Sequence, residues 1–258
     1  DVERSRGLGD VYKRQIHIPS VATLTTVAGG TSNPDYIEVS ELKDWFLDAK
    51  EGNDEVVVEE TSTGFELYGA GDSDTLTAMG DVTDALIKGG AAADSITIKG
   101  ATTNTSVYGG KAADVITFDR AFVGGVVYGD TNKDTITFSE KVSGGTIIDG
   151  GADDDSITLS NRITNVTVRG GAARDAISVA ESLDSLVDAG GDNDNLSISG
   201  SHSNLIAKGG EGADTLDLTL AGTGNRFYGG KDNDSIKIDT AAAVAVHGDN
   251  DNLSLIHI

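Results

Sequence analysis

The chain has 258 residues, with 34 glycines, 2 prolines and no cysteine. Its 42 acidic and 19 basic side chains give a net charge of −23 at pH 7, which argues against nucleic acid and anionic lipid as partners and favours a cation. The absence of cysteine excludes disulfides and thiolate metal sites, and the sequence contains no run of about 20 apolar residues that could span a membrane.

Four stretches can be distinguished along the chain. Residues 1–15 match nothing that follows, and we expect a non-native or disordered tail there; a second, non-native tail is expected at residues 254–258. Residues 16–48 are expected to form a degenerate N-terminal coil that caps the domain. Residues 49–253 are expected to form the main repeat domain.

The segment SELKDWFLDAK, residues 40–50, is compatible with two structures. Four of its residues have the spacing of one helix face: Leu42, Trp45, Phe46 and Ala49. The interval from Asp35 to Asp54 instead equals one repeat, which favours a coil. In both cases Trp45 is expected to cover the N-terminal end of the stack.

One aspartate recurs at a nearly constant interval. It occupies Asp54, Asp74, Asp94, Asp114, Asp134, Asp155, Asp175, Asp194, Asp214, Asp234 and Asp251, and a weaker copy, GTSNPDYIEV, contains Asp35. An aliphatic residue stands two positions after each aspartate of the main series, and in most copies another apolar residue follows two positions later. This alternation predicts a strand with one buried face.

A second apolar position precedes the glycines of the repeat. It is occupied by Val107, Val127, Ile148, Val168, Val187 and Phe227. Each repeat is therefore predicted to read strand, turn, strand, turn, and only stacked copies can bury the apolar faces. We predict an all-β fold, a right-handed parallel β-solenoid of about 11–12 coils with a period of roughly 20 residues.

Stacking the repeats would place the aspartates in a column. Neighbouring carboxylates about 4.8 Å apart repel each other by on the order of 1 kcal/mol even in water. A divalent cation between the turns would offset this repulsion, with a carboxylate from one coil and backbone carbonyls from the next. Ca²⁺ accepts six to eight oxygens in a flexible geometry, and the paired glycines let the backbone approach it.

The turns resemble the RTX (repeats-in-toxin, haemolysin-type) calcium-binding nonapeptide G-G-x-G-x-D-x-U-x, in which U is a large aliphatic residue. GGEGADTLD at 209–217 matches this motif fully, and GGKDNDSIK at 229–237 matches it with aspartate at the fourth position; GAGDSDTLT, GGADDDSIT, GDTNKDTIT and AGGDNDNLS are close. The resemblance covers about residues 50–253 and implies a secreted β-roll that folds on binding Ca²⁺, typically after type I export from bacteria. Because each coil carries one motif where the family usually carries two, the ions are expected along one edge only.

The predicted calcium ligands combine the recurring aspartate with the aspartate at the fourth position of the turn. They are Asp54, Asp72, Asp74, Asp134, Asp153, Asp155, Asp192, Asp194, Asp214, Asp232, Asp234, Asp249 and Asp251. Weaker sites are predicted at Asp94, Asp114 and Asp175, where alanine occupies the fourth position. The alternative for each aspartate is an Asx-turn without metal.

Catalysis has little support in the sequence. No Ser-His-Asp order or histidine-based metal spacing stands out, and His202 is expected to be solvated in a polar turn. We therefore predict that the segment is not an enzyme.

Two outward-facing ladders are predicted on the strands. Tyr68, Tyr108, Tyr128 and Tyr228 each precede a turn glycine, and packing against one another is favoured over stacking on a surface glycan. A partial T-x-T face consists of Thr75, Thr77, Thr97, Thr117, Thr135, Thr137 and Thr158. It resembles the flat arrays of ice-binding solenoids, but it decays to Asp217 and Lys237.

These patterns predict a non-enzymatic Ca²⁺-binding segment of a secreted or cell-surface bacterial protein of stalk, adhesin or surface-layer type, located outside the cell. Two alternatives are an export and folding module of a larger type I-secreted hydrolase and a metal-free structural solenoid. Besides calcium ions, a surface glycan or another copy of the chain stays open as a partner, because unpaired strand edges at the ends of a solenoid favour self-association.

Overall fold

The computed structural model describes residues 14–18, 27–28, 30–240, 245–248 and 254–257. These residues form strands and turns and contain no helix, so none of them belongs to a helix that could cross a membrane. The strands are β1 (Arg14–Ile18), β2 (Val27–Ala28), β3 (Asp35–Val39), β4 (Phe46–Asp48), β5 (Glu55–Val58), β6 (Ser62–Thr63), β7 (Glu66–Ala70), β8 (Thr75–Ala78), β9 (Val82–Thr83), β10 (Leu86–Gly90), β11 (Ser95–Ile98), β12 (Thr102–Gly110), β13 (Val115–Phe118), β14 (Phe122–Thr131), β15 (Thr135–Phe138), β16 (Val142–Ser143), β17 (Ile147–Ala152), β18 (Ser156–Thr164), β19 (Thr167–Ala172), β20 (Ala176–Leu183), β21 (Leu186–Gly191), β22 (Asn195–Ser203), β23 (Ile206–Glu211), β24 (Thr215–Ala221), β25 (Arg226–Lys231), β26 (Ser235–Thr240), β27 (Ala245–His247) and β28 (Ser254–His257).

Every strand pairs in parallel with the equivalent strand of the next coil. Ile96 of β11, for example, pairs with Leu76 of β8 on one side and with Ile116 of β13 on the other. From Asp35 to Asp234 the chain makes ten such steps of 19 to 21 residues. The predicted parallel β-solenoid is confirmed. The predicted domain boundaries stay predictions, and residues 1–13 lie outside the described part of the chain.

Each coil has three strands where the sequence predicted two. We call the strand that follows the aspartate the sheet A strand and the strand that ends in the glycines the sheet B strand; a short strand such as β9 lies between them. In several coils it is continuous with a longer strand, as in β12 and β18. The short strand forms because its alternate residues, such as Val82 and Ile163, also point into the core.

The core is a set of aliphatic columns inside the coils. Ile96, Ile116 and Ile136 of sheet A are at most 1% exposed, and Val107 and Val127 of sheet B are fully buried. Each such side chain contributes about 1.5–3 kcal/mol when it is buried. Because each packs against its equivalents one coil away, the coils stabilise one another and none could fold alone.

A small aromatic cluster reinforces the middle of the core. The rings of Phe118 and Phe138 are stacked with their centroids 4.5 Å apart, and Phe122 meets Phe118 edge-on at 4.9 Å. Contacts of this kind add about 0.5–1.5 kcal/mol beyond the buried area. The cluster links two successive coils through sheet A and the short strand.

Residues 40–50 form a coil of the solenoid. The helical alternative is wrong, because β4 pairs with β2 on one side and with β7 on the other. This pairing satisfies the backbone groups that a helix would have satisfied internally. Trp45 is 7% exposed and lies between coils, so it does not cover the end of the stack as predicted.

Sheet A presents a face of hydroxyl groups to solvent. Its inner column is Thr77, Thr97, Thr117, Thr137, Thr158, Ser178 and Ser197, paired in register. The outer column is Thr75, Ser95, Val115, Thr135, Ser156, Ala176 and Asn195. Over these seven coils neither column contains a charged residue; Asp217 and Lys237 follow in the inner column, and Glu55 precedes Thr75 in the outer one. The predicted outward threonine face is therefore confirmed.

Sheet B presents aromatic and charged side chains. Tyr108 and Tyr128 stack with ring centroids 5.4 Å apart, and the Lys88 ammonium lies 5.3 Å from the centre of Tyr68 and 5.4 Å from that of Tyr108. Tyr228 stacks on His247 at 4.9 Å. The tyrosines pack along the rod as predicted, through both aromatic and cation–π contacts.

Candidate functional site

The recurring aspartates form one column at the corner between each sheet B strand and the following sheet A strand. All members are at most 3% exposed: Asp35, Asp54, Asp74, Asp94, Asp114, Asp134, Asp155, Asp175, Asp194, Asp214 and Asp234. We call this set the aspartate column. A carboxylate is among the groups least often fully buried in proteins, and here one is buried in every coil.

Backbone hydrogen bonds link the column from coil to coil. The backbone N–H of each aspartate donates to Oδ1 of the aspartate in the next coil, over 2.6 to 3.0 Å. Asp94, for instance, donates to Asp114, which in turn donates to Asp134, both over 2.7 Å. The Oδ1 atom of each accepting aspartate is thus hydrogen bonded within the solenoid.

The second carboxylate oxygen is different. Oδ2 is buried and has no hydrogen-bond partner in Asp74, Asp94, Asp114, Asp134, Asp155, Asp175, Asp194 and Asp214. A Cβ added to Gly69 would lie 2.5 Å from Asp74 Oδ2 and 2.5 Å from the carbonyl oxygen of Gly89 in the next coil, so both acceptors approach the same side of this glycine. No donor reaches Asp74 Oδ2, and a proton or a cation is what would satisfy it.

Burial raises the pKa of these carboxyl groups. The pKa is about 6 for Asp94 and Asp134 and about 7 for Asp74, Asp114, Asp175, Asp194 and Asp214. It reaches about 8 for Asp155, where loss of hydration is the main cause and the charges of neighbouring aspartates add to it. The N–H bond from the preceding coil opposes the rise but does not cancel it. No basic side chain lowers any of these values.

The two positions of the turn require glycine for different steric reasons. A Cβ on Gly89 would lie 2.5 Å from Asp94 Oδ2, so the first glycine makes room for the carboxylate. Gly90 has a φ of +136°, and a Cβ there would collide with the carbonyl oxygen of Ala70 in the preceding coil. The G-G pair is therefore required by the close approach of one coil to the next as well as by backbone conformation.

The fourth-position aspartates are not buried as the column is. Asp72, Asp153, Asp192 and Asp232 are all exposed. Three of them adopt positive φ between 70° and 76°. Their charges still contribute to the raised pKa values of the column, as that of Asp72 does at Asp74 and that of Asp153 at Asp155. Within the described residues no three Asp, Glu, His or Cys side chains cluster as a metal site would require. An ion at this corner would take its other oxygens from the backbone.

The aspartates of the predicted stronger and weaker calcium sites do not differ in burial or in hydrogen bonding. Asp94, Asp114 and Asp175 are buried and hydrogen bonded like the rest. Arg174 is exposed, and its side chain does not lower the pKa of the adjacent Asp175. The sequences of the turns differ on their outer side, which leaves the inner side uniform. Asp249 and Asp251, also predicted as ligands, lie outside the described residues.

Comparison with solved structures finds the same architecture in another protein. A hyperactive, Ca²⁺-dependent, beta-helical antifreeze protein from an Antarctic bacterium matches with a TM-score of 0.77 over 92% of this chain and 82% of that one. The two sequences are 18% identical, so the match shows the fold alone. No family model and no curated protein matches the sequence.

A second polar column, which the sequence analysis missed, runs along the corner between the short strand and sheet B. Asp, Asn or Gly recurs there in the left-handed conformation: Asp44, Gly64, Asp84, Asn104, Gly124, Gly145, Asn165, Asp184, Asn204 and Gly224. Asn104 Nδ2 donates to Asp84 Oδ1 at 2.5 Å, and Asn204 Nδ2 donates to Asp184 Oδ1 at 2.7 Å. The Asp and Asn side chains of this corner are exposed, and two such pairs are hydrogen bonded, so among the described residues the corner offers no buried carboxylate oxygen to an ion. An Asn, Asp or Gly at the same interval as the aspartates was the sequence signal for it.

His202 is buried, in contrast to the prediction that it is solvated. It is 1% exposed, its Nε2–H donates to the carbonyl oxygen of Ser199 at 2.9 Å, and its Nδ1 lies 2.8 Å from Ser182 Oγ. Burial lowers its pKa. The prediction failed because the polar segment around His202 belongs to the short strand, whose alternate residues face the core. With both ring nitrogens engaged and no access from solvent, His202 has a structural role.

Proposed function

We propose that the chain is a non-enzymatic calcium-binding solenoid that folds when Ca²⁺ enters the aspartate column. The observation that carries this proposal is the row of buried Oδ2 atoms, each beside a backbone carbonyl oxygen and without a donor. The residues present fit a hard cation, because carboxylate and carbonyl oxygens are its preferred ligands.

Electrostatics favours a cation over an empty corner. Burying an ionised carboxylate without a counter-charge costs several kcal/mol, and the column repeats that cost in every coil. The net charge of −23 adds long-range repulsion against the compact state. Bound Ca²⁺ would supply positive charge at the buried oxygens; Oδ2 of each aspartate and the carbonyl of the first glycine in the next coil would hold it.

The biological setting follows from this coupling. The resemblance of the turns to RTX repeats and the Ca²⁺ dependence stated for the antifreeze protein of the same fold both support calcium as the ion. In a compartment with little free calcium the carboxylates keep the coils apart, and outside the cell the ion closes them into a rod of about 48 Å for ten coils. Such a rod suits a stalk, an adhesin or a surface-layer element, or the export module of a larger type I-secreted hydrolase.

The first test is a calcium titration of the metal-free protein. At pH 8 in EDTA we expect a far-UV circular dichroism spectrum that lacks most of its β signal, because the column is ionised there. Addition of Ca²⁺ is expected to restore the β signal cooperatively, with several ions bound per chain by calorimetry. Mg²⁺ at the same concentration should not restore it, because it demands a tighter and more regular geometry.

A β spectrum that is already complete in EDTA at pH 8, and a melting temperature that calcium leaves unchanged, would contradict the proposal. The metal-free structural solenoid would then be the correct interpretation, with the aspartates serving only the turns.

The hydroxyl face of sheet A favours a second function, the binding of ice. Its seven paired Thr and Ser residues repeat every 4.8 Å or so along the rod, and the two columns lie roughly 6.6 Å apart across a strand. In a chain with a charge of −23, two adjacent columns without a charge over seven coils are unusual. A flat, regular lattice of hydroxyls can order water in the same periodic way.

Thermal hysteresis of the calcium-loaded protein tests this second function. The double variant Thr117→Lys, Thr137→Lys places two charges in the centre of the face and should abolish activity. Ser139→Lys puts one such charge on an exposed turn and should leave the hysteresis intact. If the unaltered protein shows no hysteresis and does not shape ice crystals at millimolar concentration, the face has another role.

A further inference from the structure

The outward column of sheet B begins with Asp48, Tyr68 and Lys88 and continues into a symmetric series of eight side chains. In register from coil to coil they are Tyr108, Tyr128, Asp149, Arg169, Asp188, Lys208, Tyr228 and His247. The order of types is aromatic, aromatic, acid, base, acid, base, aromatic, aromatic. When the order is reversed, each acidic position coincides with a basic position of the original order, and each aromatic position coincides with an aromatic one.

We propose that this column docks on the same column of a second copy of the chain, with the two rods antiparallel. The twofold axis runs along the strand direction between Arg169 and Asp188. Arg169 then faces the partner's Asp188, and Asp149 faces the partner's Lys208. Because the axis is twofold, each of these pairs occurs twice.

The four central charges are placed to serve both copies. Within one chain, an Arg169 guanidinium nitrogen lies 3.6 Å from Asp149 Oδ2 and the Lys208 ammonium lies 3.4 Å from Asp188 Oδ2. The side chains keep between 19% and 51% of their surface, so each can take a second partner. Docking turns two linear ion-pair rows into a checkerboard in which every charge has opposite charges beside it and across from it.

The local charge balance singles out this face. The four central residues sum to zero, whereas the whole chain carries −23, which would make copies repel through most other surfaces. Complementary charge at one face and repulsion elsewhere select a single mode of association.

A second column on the same face is apolar at the same height. Ile147, Thr167, Leu186 and Ile206 run beside the charges and are half-buried. In the antiparallel arrangement Ile147 meets the partner's Ile206, and Thr167 meets the partner's Leu186. A parallel arrangement would instead set the charged column against the aliphatic column and would bury charges against carbon, which is unfavourable.

The aromatic residues at the two ends of the column would also pair with aromatic residues of the partner. Tyr128 would face the partner's Tyr228, and Tyr108 would face the partner's His247. Aromatic pairs of this kind are common anchors of interfaces. Eight strands spaced about 4.8 Å apart span about 34 Å, and each strand is about 16 Å long, so the contact covers roughly 550 Å² on each copy. This area is near the lower limit for a specific interface. We therefore expect a reversible dimer with a dissociation constant on the order of 10–100 µM.

The dimer contact does not involve the ion in the aspartate column, because the sheet B face and that corner share no residue. It also leaves the hydroxyl face of sheet A exposed in the dimer.

Sedimentation velocity of the folded, calcium-loaded chain tests the proposal through a charge swap. Arg169→Glu sets an acid against the partner's Asp188, and Asp188→Lys sets a base against the partner's Arg169, so each variant alone should dimerise at least tenfold more weakly. When the two variants are mixed, the introduced glutamate of one faces the introduced lysine of the other at one contact. The symmetry-related contact keeps Arg169 opposite the partner's Asp188, so dimer formation should return. Raising the salt concentration should weaken the dimer of the unaltered chain.

Two further variants complete the experiment. Lys237→Glu breaks the Lys237–Asp217 ion pair of similar exposure on sheet A and should not change association. Ile147→Lys disturbs the apolar column without touching the four charges and should weaken the dimer. Circular dichroism establishes that each variant is folded. A chain that stays monomeric at millimolar concentration, or a dimer that the charge changes leave intact, would overturn the proposal.

Discussion

Without calcium, the protein is expected to be stable at about pH 5 and to lose stability steeply as the pH rises to about 8. Eight aspartates of the column have folded-state pKa values of about 6 to 8, against 3.8 for an ordinary aspartate, chiefly because they are buried. In this interval the folded chain holds more protons than the unfolded chain. The free energy of unfolding therefore falls as the pH rises.

The size of this effect follows from the number of groups. One unit of pKa shift is worth about 1.4 kcal/mol, so one unit at each of eight aspartates already approaches the entire stability of a typical domain. The stability contributed by the protonated column is complete below about pH 4 and is lost through the interval of pH 6 to 8. Calcium replaces the proton at high pH, so the loaded protein should be stable at pH 8.

Urea unfolding at several pH values, in EDTA and in saturating Ca²⁺, measures the effect. The EDTA series should slope downward with pH, and the calcium series should be flat or slope upward. A metal-free stability that is independent of pH between 5 and 8 would show that the column is not the group that titrates.

The second large effect is expected for Asp155→Asn, and its sign should depend on calcium. Asn keeps an oxygen to accept the N–H of Asp134, which donates to Asp155 Oδ1 at 2.7 Å. In place of Oδ2 it presents an amide donor beside the carbonyl oxygen of Gly170. At pH 8 in EDTA the variant should therefore be more stable than the unaltered protein, by about 1–3 kcal/mol, because a buried unsatisfied charge is removed.

In saturating calcium the same substitution should be destabilising, because it removes a charged ligand and leaves a donor facing the ion. Calorimetry should show fewer bound ions or weaker binding. Asp154→Asn is the matched control; Asp154 is exposed, accepts the N–H of Arg174 at 3.1 Å, and its substitution should change stability by less than about 0.5 kcal/mol in either condition.

The remaining outcomes for Asp155→Asn identify the alternatives. If the variant is more stable with and without calcium, the metal does not bind at this corner. If it is less stable in both, the carboxylate serves the turn in a way that the amide cannot reproduce.

The fold of the repeat could be predicted from the sequence because the same packing requirement recurs in every coil. A period near 20 residues with apolar residues at alternate positions allows one arrangement that buries every apolar face, a stack of coils in register. The same register places each aspartate above the next, so Asp74, Asp94 and Asp114 had to form a column once the fold was known. Sequence also placed the threonines and tyrosines on outward faces, since side chains alternate along a strand.

Only the tertiary structure showed which carboxylate oxygens are buried and which of these have hydrogen-bond partners. Asp153 and Asp155 are two residues apart and chemically identical, but one is exposed and the other is buried with one oxygen unpartnered. Asp155 accepts an N–H from Asp134 of the preceding coil, and no local pattern encodes that contact. His202 and the residues at 40–50 were misplaced or undecided for the same reason: whether a polar or ambiguous segment turns inward depends on the pairing with coils that lie about 20 residues away.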